Sequence, residues 1–241
     1  DAQSFPAPRV TVNPWLIAIV VALASFMEVL DTTIANVALP YIAGGMGVSE
    51  DEASWVVTSY LVSNAIILTA SSFLAKMLGR KTFFLICLGI FTVSSILCGF
   101  APNLNALLLF RILQGLGGAM MTPVGRLVLL RSVDKSALVN AMAWVTVPAL
   151  IGPVIGPPLG GFITTYASWH WIFLINIPIG LLGIFLALKY IDPIKSEDPE
   201  RFDLMGLVLA GIGLAGIAFG LSVAGLNLLP WPIVAALVGV G

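Results

Sequence analysis

Long apolar stretches separated by short polar turns make up most of this chain. No Asp, Glu, Lys or Arg occurs in residues 53–75, 82–110, 136–188 or 204–241, and His170 is the only imidazole in the sequence. Crossing the hydrocarbon core of a bilayer takes about 20 apolar residues, so the longest of these runs must each hold two spans. Turn residues and charges divide the chain into helices over 14–39, closed by Pro40, then 52–75, 82–100, 104–129, 137–166, 171–190 and 203–224. An eighth starts near Pro230 and is unfinished at Gly241. The pattern predicts an all-α polytopic membrane protein. A cytoplasmic tail occupies 1–13, a six-helix domain 14–190, a polar linker 191–203 and two further helices 204–241. Residue 1 is Asp and the last apolar run is cut short, so the sequence reads as the N-terminal portion of something longer. Residues 14–27 do not read as a signal peptide, because acidic residues follow where a small-residue cleavage site is required.

Composition strengthens the membrane reading. Hydrophobic residues make up 59% of the chain and charged residues 10%, against roughly 25% charged in soluble domains. A net charge of −1 gives no electrostatic basis for nucleic-acid binding. Cys87 and Cys98 fall in one predicted helix, where eleven residues separate them by about 16 Å, beyond the reach of a disulfide. With a single histidine and no Cys/His cluster, neither a metal nor a cofactor is expected.

Ten of the eleven Lys and Arg residues, all but Arg111, orient the helices. Arg9 precedes the first; Lys76, Arg80 and Lys81 join the second and third; Arg126, Arg131 and Lys135 surround the turn after the fourth; Lys189, Lys195 and Arg201 join the sixth and seventh. With alternating helices all of these fall on one side, and the opposite loops at 41–51, 101–103 and 164–170 contain none. Because basic loops stay in the cytoplasm, the N-terminus is expected there.

A charge inside the bilayer costs about 2.5–3.5 kcal/mol on insertion scales, so three residues stand out. Glu28 and Asp31 are three apart on one face of the first helix, and Arg111 lies within the fourth. An acid and an arginine on different helices can form a protonation switch, since protonating the acid removes its attraction to the arginine and biases one conformation over another. The alternatives are a purely structural pair or an acid that reaches to the interface. The fifth helix carries Gly152, Pro153, Gly156, Pro157, Pro158, Gly160 and Gly161. Glycines four apart let another helix approach closely, and prolines remove amide donors and kink the helix. Gly115, Gly118 and Ala119, after Gln114, form a second small-residue face in the fourth helix.

Five segments, in order, resemble the fourteen-helix drug:proton antiporter family of the major facilitator superfamily (EmrB/QacA-like). They are the first-helix run from Leu30-Asp31-Thr32 to Leu39-Pro40, Trp55 to Tyr60 in the second helix, Arg111 to Gly115 in the fourth, the Gly/Pro run of the fifth, and Trp169 to Gly180 in the sixth. The resemblance implies a six-helix N-domain in 3+3 inverted repeats, two inserted helices and a second six-helix domain facing the first across a cavity. It implies proton coupling by Asp31, Arg111 and Glu28, and a cavity or substrate surface of Asn36, Tyr60, Asn64 and Gln114. It also implies closure controlled by Gly152, Pro153, Gly156, Pro157, Gly160 and Gly161, and a cytoplasmic gate loop of Gly79, Arg80 and Lys81. That loop departs from the family pattern, with Lys76 in place of an acid and Met77 in place of an arginine. His170 stands where arginine is common and reads as a satisfied interfacial residue.

The function implied is proton-coupled export of drugs or other amphipathic compounds from a bacterial inner membrane, with a periplasmic adaptor protein as a further partner in double-membraned bacteria. A narrow exporter of one endogenous solute (fatty acid, sugar or siderophore) and a non-transporting receptor are the alternatives. No nucleophile–base pair or phosphate loop marks the spans as an enzyme.

Overall fold

The computed structural model describes residues 14–133, 137–191, 204–224 and 230–240. All regular structure among them is helical: α1 (Pro14–Met46), α2 (Glu50–Leu68), α3 (Ser71–Leu78), α4 (Arg80–Gly99), α5 (Leu104–Ser132), α6 (Leu138–Tyr166), α7 (Trp171–Leu174), α8 (Asn176–Tyr190), α9 (Leu204–Ala224) and α10 (Trp231–Val240). Five stretches are long and apolar enough to cross a membrane: α1, α4, α5, α6 and the α7–α8 unit. The expected tail at 1–13 and the linker after Ile191 lie outside the described residues, as do Arg9, Lys135, Lys195 and Arg201.

Three helix boundaries differ from the sequence reading. The first helix does not stop at Pro40 but carries it internally and ends at Met46, because a helix packed on neighbours tolerates the one amide donor that proline removes. The second helix is divided into α2 and α3 at Thr69–Ala70. Its start is fixed by a capping box, in which Ser49 Oγ accepts from the Glu52 amide and the Glu52 carboxylate accepts from the Ser49 amide; this satisfies two otherwise orphaned donors. The sixth helix is divided at Ile175 into α7 and α8.

Helix ends gather in two groups. Trp15 at the start of α1 meets Trp144 near the start of α6 edge-on, with ring centroids 6.3 Å apart, and Lys81 Nζ donates to the Leu188 carbonyl near the end of α8 at 3.1 Å. At the opposite end, a side chain at Gly45 would run into the Trp169 indole, and one at Gly99 into Leu174. Gly79, at φ 80°, makes the turn between α3 and α4 in a region that residues with a Cβ rarely adopt.

Two apolar cores lie along α1. One packs Val21, Ala24 and Met27 against Phe84, Phe91, Met120 and Val124. The other packs Leu30, Ile34 and Ala38 against Val56, Trp169 and Phe173. Asp31 sits where the two meet. The outer surface of α6 is strongly apolar, with Leu150 65% and Val154 73% exposed, as a lipid- or helix-facing surface requires.

Candidate functional site

Asp31 is 2% exposed and Arg111 fully buried. Arg111 Nη1 donates to Asp31 Oδ2 at 2.6 Å and to Gln114 Oε1 at 2.7 Å, and Nε donates to the Val56 carbonyl at 3.1 Å. The other carboxylate oxygen accepts from Gln114 Nε2 at 3.0 Å and from Asn176 Nδ2 at 2.8 Å. Gln114 Nε2 also donates to Ser95 Oγ at 2.8 Å, and the Cys98 thiol donates to Gln114 Oε1 at 3.6 Å. The guanidinium lies over the Tyr60 ring, 4.3 Å from its centroid, with Phe173 5.5 Å away. One carboxylate thus ties together α1, α5 and α8, while Gln114 brings in α4 and Arg111 brings in α2. A buried charge is tolerated when it is paired and hydrogen-bonded; here both Asp31 carboxylate oxygens are hydrogen-bonded and one is paired with Arg111, while Arg111 Nη2 has no partner among the described residues.

The sequence places Glu28 and Asp31 on one face, but the structure gives them different environments. Glu28 lines a 560 Å³ cavity together with Asn64, Leu68, Ser71, Thr122 and Arg126. Its carboxylate accepts from Thr122 Oγ1 at 2.6 Å, and that hydroxyl also shares a hydrogen bond with Ser25 Oγ at 3.0 Å. Asp31, one turn further on, is sealed. Glu28 borders the opening, and the Asp31–Arg111 pair is closed off by Gln114, Asn176, Tyr60 and Val56.

The other expected site residues divide similarly. Tyr60 is buried beneath Arg111, and Asn64 lines the Glu28 cavity. Gln114 belongs to the sealed network rather than to an open cavity wall, because α5 turns it inward beside Arg111. Asn36 is exposed, donates to the Thr32 carbonyl at 2.9 Å and does not join the Asp31 cluster.

The glycine stripe of α6 packs on α1. A Cβ at Gly156 would collide with Thr33, one at Gly152 would lie 2.9 Å from Val29, and one at Gly160 3.2 Å from Ile34. Gly161 has open space around it and takes no part in this close approach. Pro153 and Pro157 lie on the exposed side of α6. Away from this site, His170 stacks on Trp169 with centroids 3.7 Å apart and bonds through Nδ1 to Ser168 Oγ at 2.8 Å; partial burial holds its pKa below the usual imidazole value. It is a packed loop residue with no link to Asp31.

Sequence reasoning gave no role to Asn176, Ser95, Ser25 or Thr122. Asn176 lies in the Trp169–Gly180 segment of the family resemblance without a role attached; for the other three the signal is polarity inside an apolar helix, and neutral hydroxyls in helices often just satisfy their own backbone, as Thr92 does by donating to the Leu88 carbonyl.

Apolar helices of spanning length, arranged around a sealed ion pair, define a multi-pass membrane protein of transporter type. The chain belongs to the Major Facilitator Superfamily, whose family model matches residues 21–239. It is 44% identical over 203 residues to MdtD of Yersinia enterocolitica serotype O:8 / biotype 1B, which carries a multidrug resistance name; the match covers 84% of this chain and 43% of the relative. MdtD of Yersinia pestis strain Pestoides F is also 44% identical, over 215 residues, covering 89% of this chain and 46% of the relative. The chain therefore spans less than half the length of these curated relatives. Among solved structures, the POT family transporter PepTSo superposes with a TM-score of 0.68 at 15% identity, covering 94% of this chain and 52% of that one. A peptide transporter POT in complex with sulfate gives 0.68 at 15%, covering 93% and 49%. At this identity the likeness is one of fold.

Proposed function

We propose that this chain is the N-terminal half of a secondary active exporter that moves drugs or other amphipathic compounds out across a bacterial inner membrane in exchange for protons. The observation that carries this reading is the sealed carboxylate of Asp31, held by Arg111, Gln114 and Asn176 across helices that pack on different faces of α1. Protonating that carboxylate removes its charge, leaves Arg111 uncompensated and weakens three hydrogen bonds at once. A group whose protonation state matters to so many helices can bias a two-state equilibrium. The multidrug resistance name of relatives at 44% identity supports the class of cargo. The run of Lys and Arg on one side of the helices supports a cytoplasmic N-terminus.

In this reading Asp31 and Arg111 couple to the proton. Glu28, Tyr60 and Asn64 border the route from the cavity, and Gly152, Gly156 and Gly160 set the α1–α6 contact across which the domain moves. Gly79, Arg80 and Lys81 hold the cytoplasmic loop to the end of α8. The six-helix unit is one of two facing domains, α9 and α10 are inserted between them, and a periplasmic adaptor is an additional partner in double-membraned bacteria.

The test is transport of a fluorescent amphipathic dye by everted membrane vesicles carrying the whole protein. Energised vesicles should accumulate the dye with wild-type protein, and Asp31→Asn and Arg111→Ala should abolish the dependence on a pH gradient. Unchanged accumulation and pH dependence in both variants would refute the coupling. Thermal stabilisation across a compound panel then separates a broad exporter from one built for a single solute.

A further inference from the structure

The open cavity carries two opposite charges that do not meet. Glu28 from α1 and Arg126 from α5 both line it, and they are the charged residues among its described lining. Glu28 is half-buried and Arg126 exposed. Oε2 of Glu28 accepts from Thr122 Oγ1, which fixes the carboxylate against α5. Its other oxygen takes no hydrogen bond from a described residue, and among the described residues Glu28 and Arg126 form no ion pair with each other. Thr122 and Arg126 are four apart on α5, which sets them on one face a single turn apart, about 6 Å along the axis. The carboxylate and the guanidinium thus share one wall of the cavity, about a helical turn from each other.

Each charge limits what can occupy the space. An organic cation pairs with Glu28 but meets Arg126, and an anion pairs with Arg126 but meets Glu28; unmatched like charges are how a site rejects the wrong ligand. A neutral ligand leaves both groups without a partner. A ligand that carries an ammonium and a carboxylate on neighbouring atoms satisfies both. With each of its charges at hydrogen-bonding distance from the opposite protein charge, the two protein groups stand about 6–8 Å apart, a separation that residues one turn apart on this wall can provide. Hydrogen bonds between ionised groups are short and strong. The rest of the wall suits an apolar body: Leu68, Ala119 and Leu127 line the same 560 Å³ cavity, which has room for a drug-sized molecule.

We propose that this cavity binds zwitterions, compounds whose ammonium pairs with Glu28, whose carboxylate pairs with Arg126 and whose apolar body lies on Leu68, Ala119 and Leu127. Thr122 is a positioning residue: it holds the Glu28 carboxylate, and its own hydroxyl is tied to Ser25. The site is separate from the sealed pair, since Asp31 and Arg111 do not line the cavity and their charges are matched to each other. The proposal rests on the exporter reading above and narrows its cargo from amphipathic compounds in general to those that carry both charges.

Equilibrium binding to purified full-length protein in lipid nanodiscs decides it, with empty nanodiscs as the reference. The probes share a biphenyl body: the amino acid 4-phenylphenylalanine, the amine that lacks its carboxylate and the propanoate that lacks its ammonium. At neutral pH the wild-type protein should bind the amino acid about tenfold more tightly than either single-charge analogue, as the loss of one hydrogen bond between charged groups implies. Glu28→Gln should weaken binding of the amino acid about tenfold and leave the propanoate bound at least as tightly as before. Arg126→Gln should do the same to the amino acid and leave the amine bound at least as tightly. Retained binding of the single-charge analogue shows that a variant is folded, and the wild-type ranking decides the matter if a variant does not fold. No saturable binding of the amino acid, an amine or propanoate that binds as tightly as the amino acid, or a folded variant of either residue that binds the amino acid like wild type would overturn the proposal. No proton gradient is applied and Asp31 and Arg111 are untouched, so dye export can fail in vesicles while zwitterion selectivity stands, and the reverse.

Discussion

At the scale of single residues, the chemistry depends on how completely Asp31 is enclosed. Removing one partner of a buried pair leaves the other charge in a low-dielectric interior and costs about 3–5 kcal/mol. Asp31→Asn and Arg111→Gln should each lower the apparent unfolding temperature of the full-length protein sharply. The double variant, which buries no charge, should recover most of the loss; a double variant whose loss equals the sum of the singles would show that the two side chains do not act as a pair. Asp31 and Arg111 were legible in the sequence because a charge in a membrane helix is costly enough to demand a reason. Gln114 and Asn176 were not legible in these roles, since a neutral amide carries no comparable penalty and could equally have faced an open cavity. The different environments of Glu28 and Asp31 were also hidden: helical spacing puts them on one face, and only the placement of Thr122 and Asn176 on neighbouring helices separates them.

Among the elements, the α1–α6 contact is the most exacting. Gly156 stands so close to Thr33 that even a methyl group forces the helices apart, whereas Gly161 faces open space. Gly156→Ala should therefore destabilise by about 1–3 kcal/mol through overpacking and impair dye transport. Gly161→Ala should be neutral or stabilising by about 0.5–1 kcal/mol, as expected for relieving a mid-helix glycine. Thermal unfolding and vesicle transport of the two variants check both halves, and equal behaviour would remove the close approach as the reason for the stripe. The number and order of the main helices followed from apolar run lengths, because a bilayer fixes how many apolar residues a span needs. The divisions at Thr69–Ala70 and Ile175 were not visible. The break at Thr69–Ala70 carries no proline, glycine or charge, whereas the one at Ile175 is followed by Pro178 in the first turn of α8, whose missing amide leaves the Leu174 carbonyl without its usual donor.

For the molecule as a whole, the chain spans 43–46% of the relatives it matches, and alternating access needs two domains rocking about a shared cavity. Residues 1–241 reconstituted alone should therefore show no proton-linked dye flux in liposomes, while folding well enough to retain the helical content seen here. Proton-driven flux from this portion by itself would contradict the two-domain account. Membership of the superfamily was within reach of the sequence because five short segments occur in the right order. The cargo is not encoded in so direct a way: the residues bordering the Glu28 cavity are few and mixed in polarity, and in the proposed two-domain arrangement half of the substrate surface lies outside this chain.

If, as proposed, Asp31 is the group that couples export to protons, it should give up its proton when a transported compound binds. Calorimetric titration of the full-length protein with a transported dye, repeated in buffers of different ionisation enthalpy, counts protons released per dye bound. Wild-type protein should release protons on binding, and Asp31→Asn should bind with none released. The same proton release from both would place the coupling group elsewhere and contradict the account.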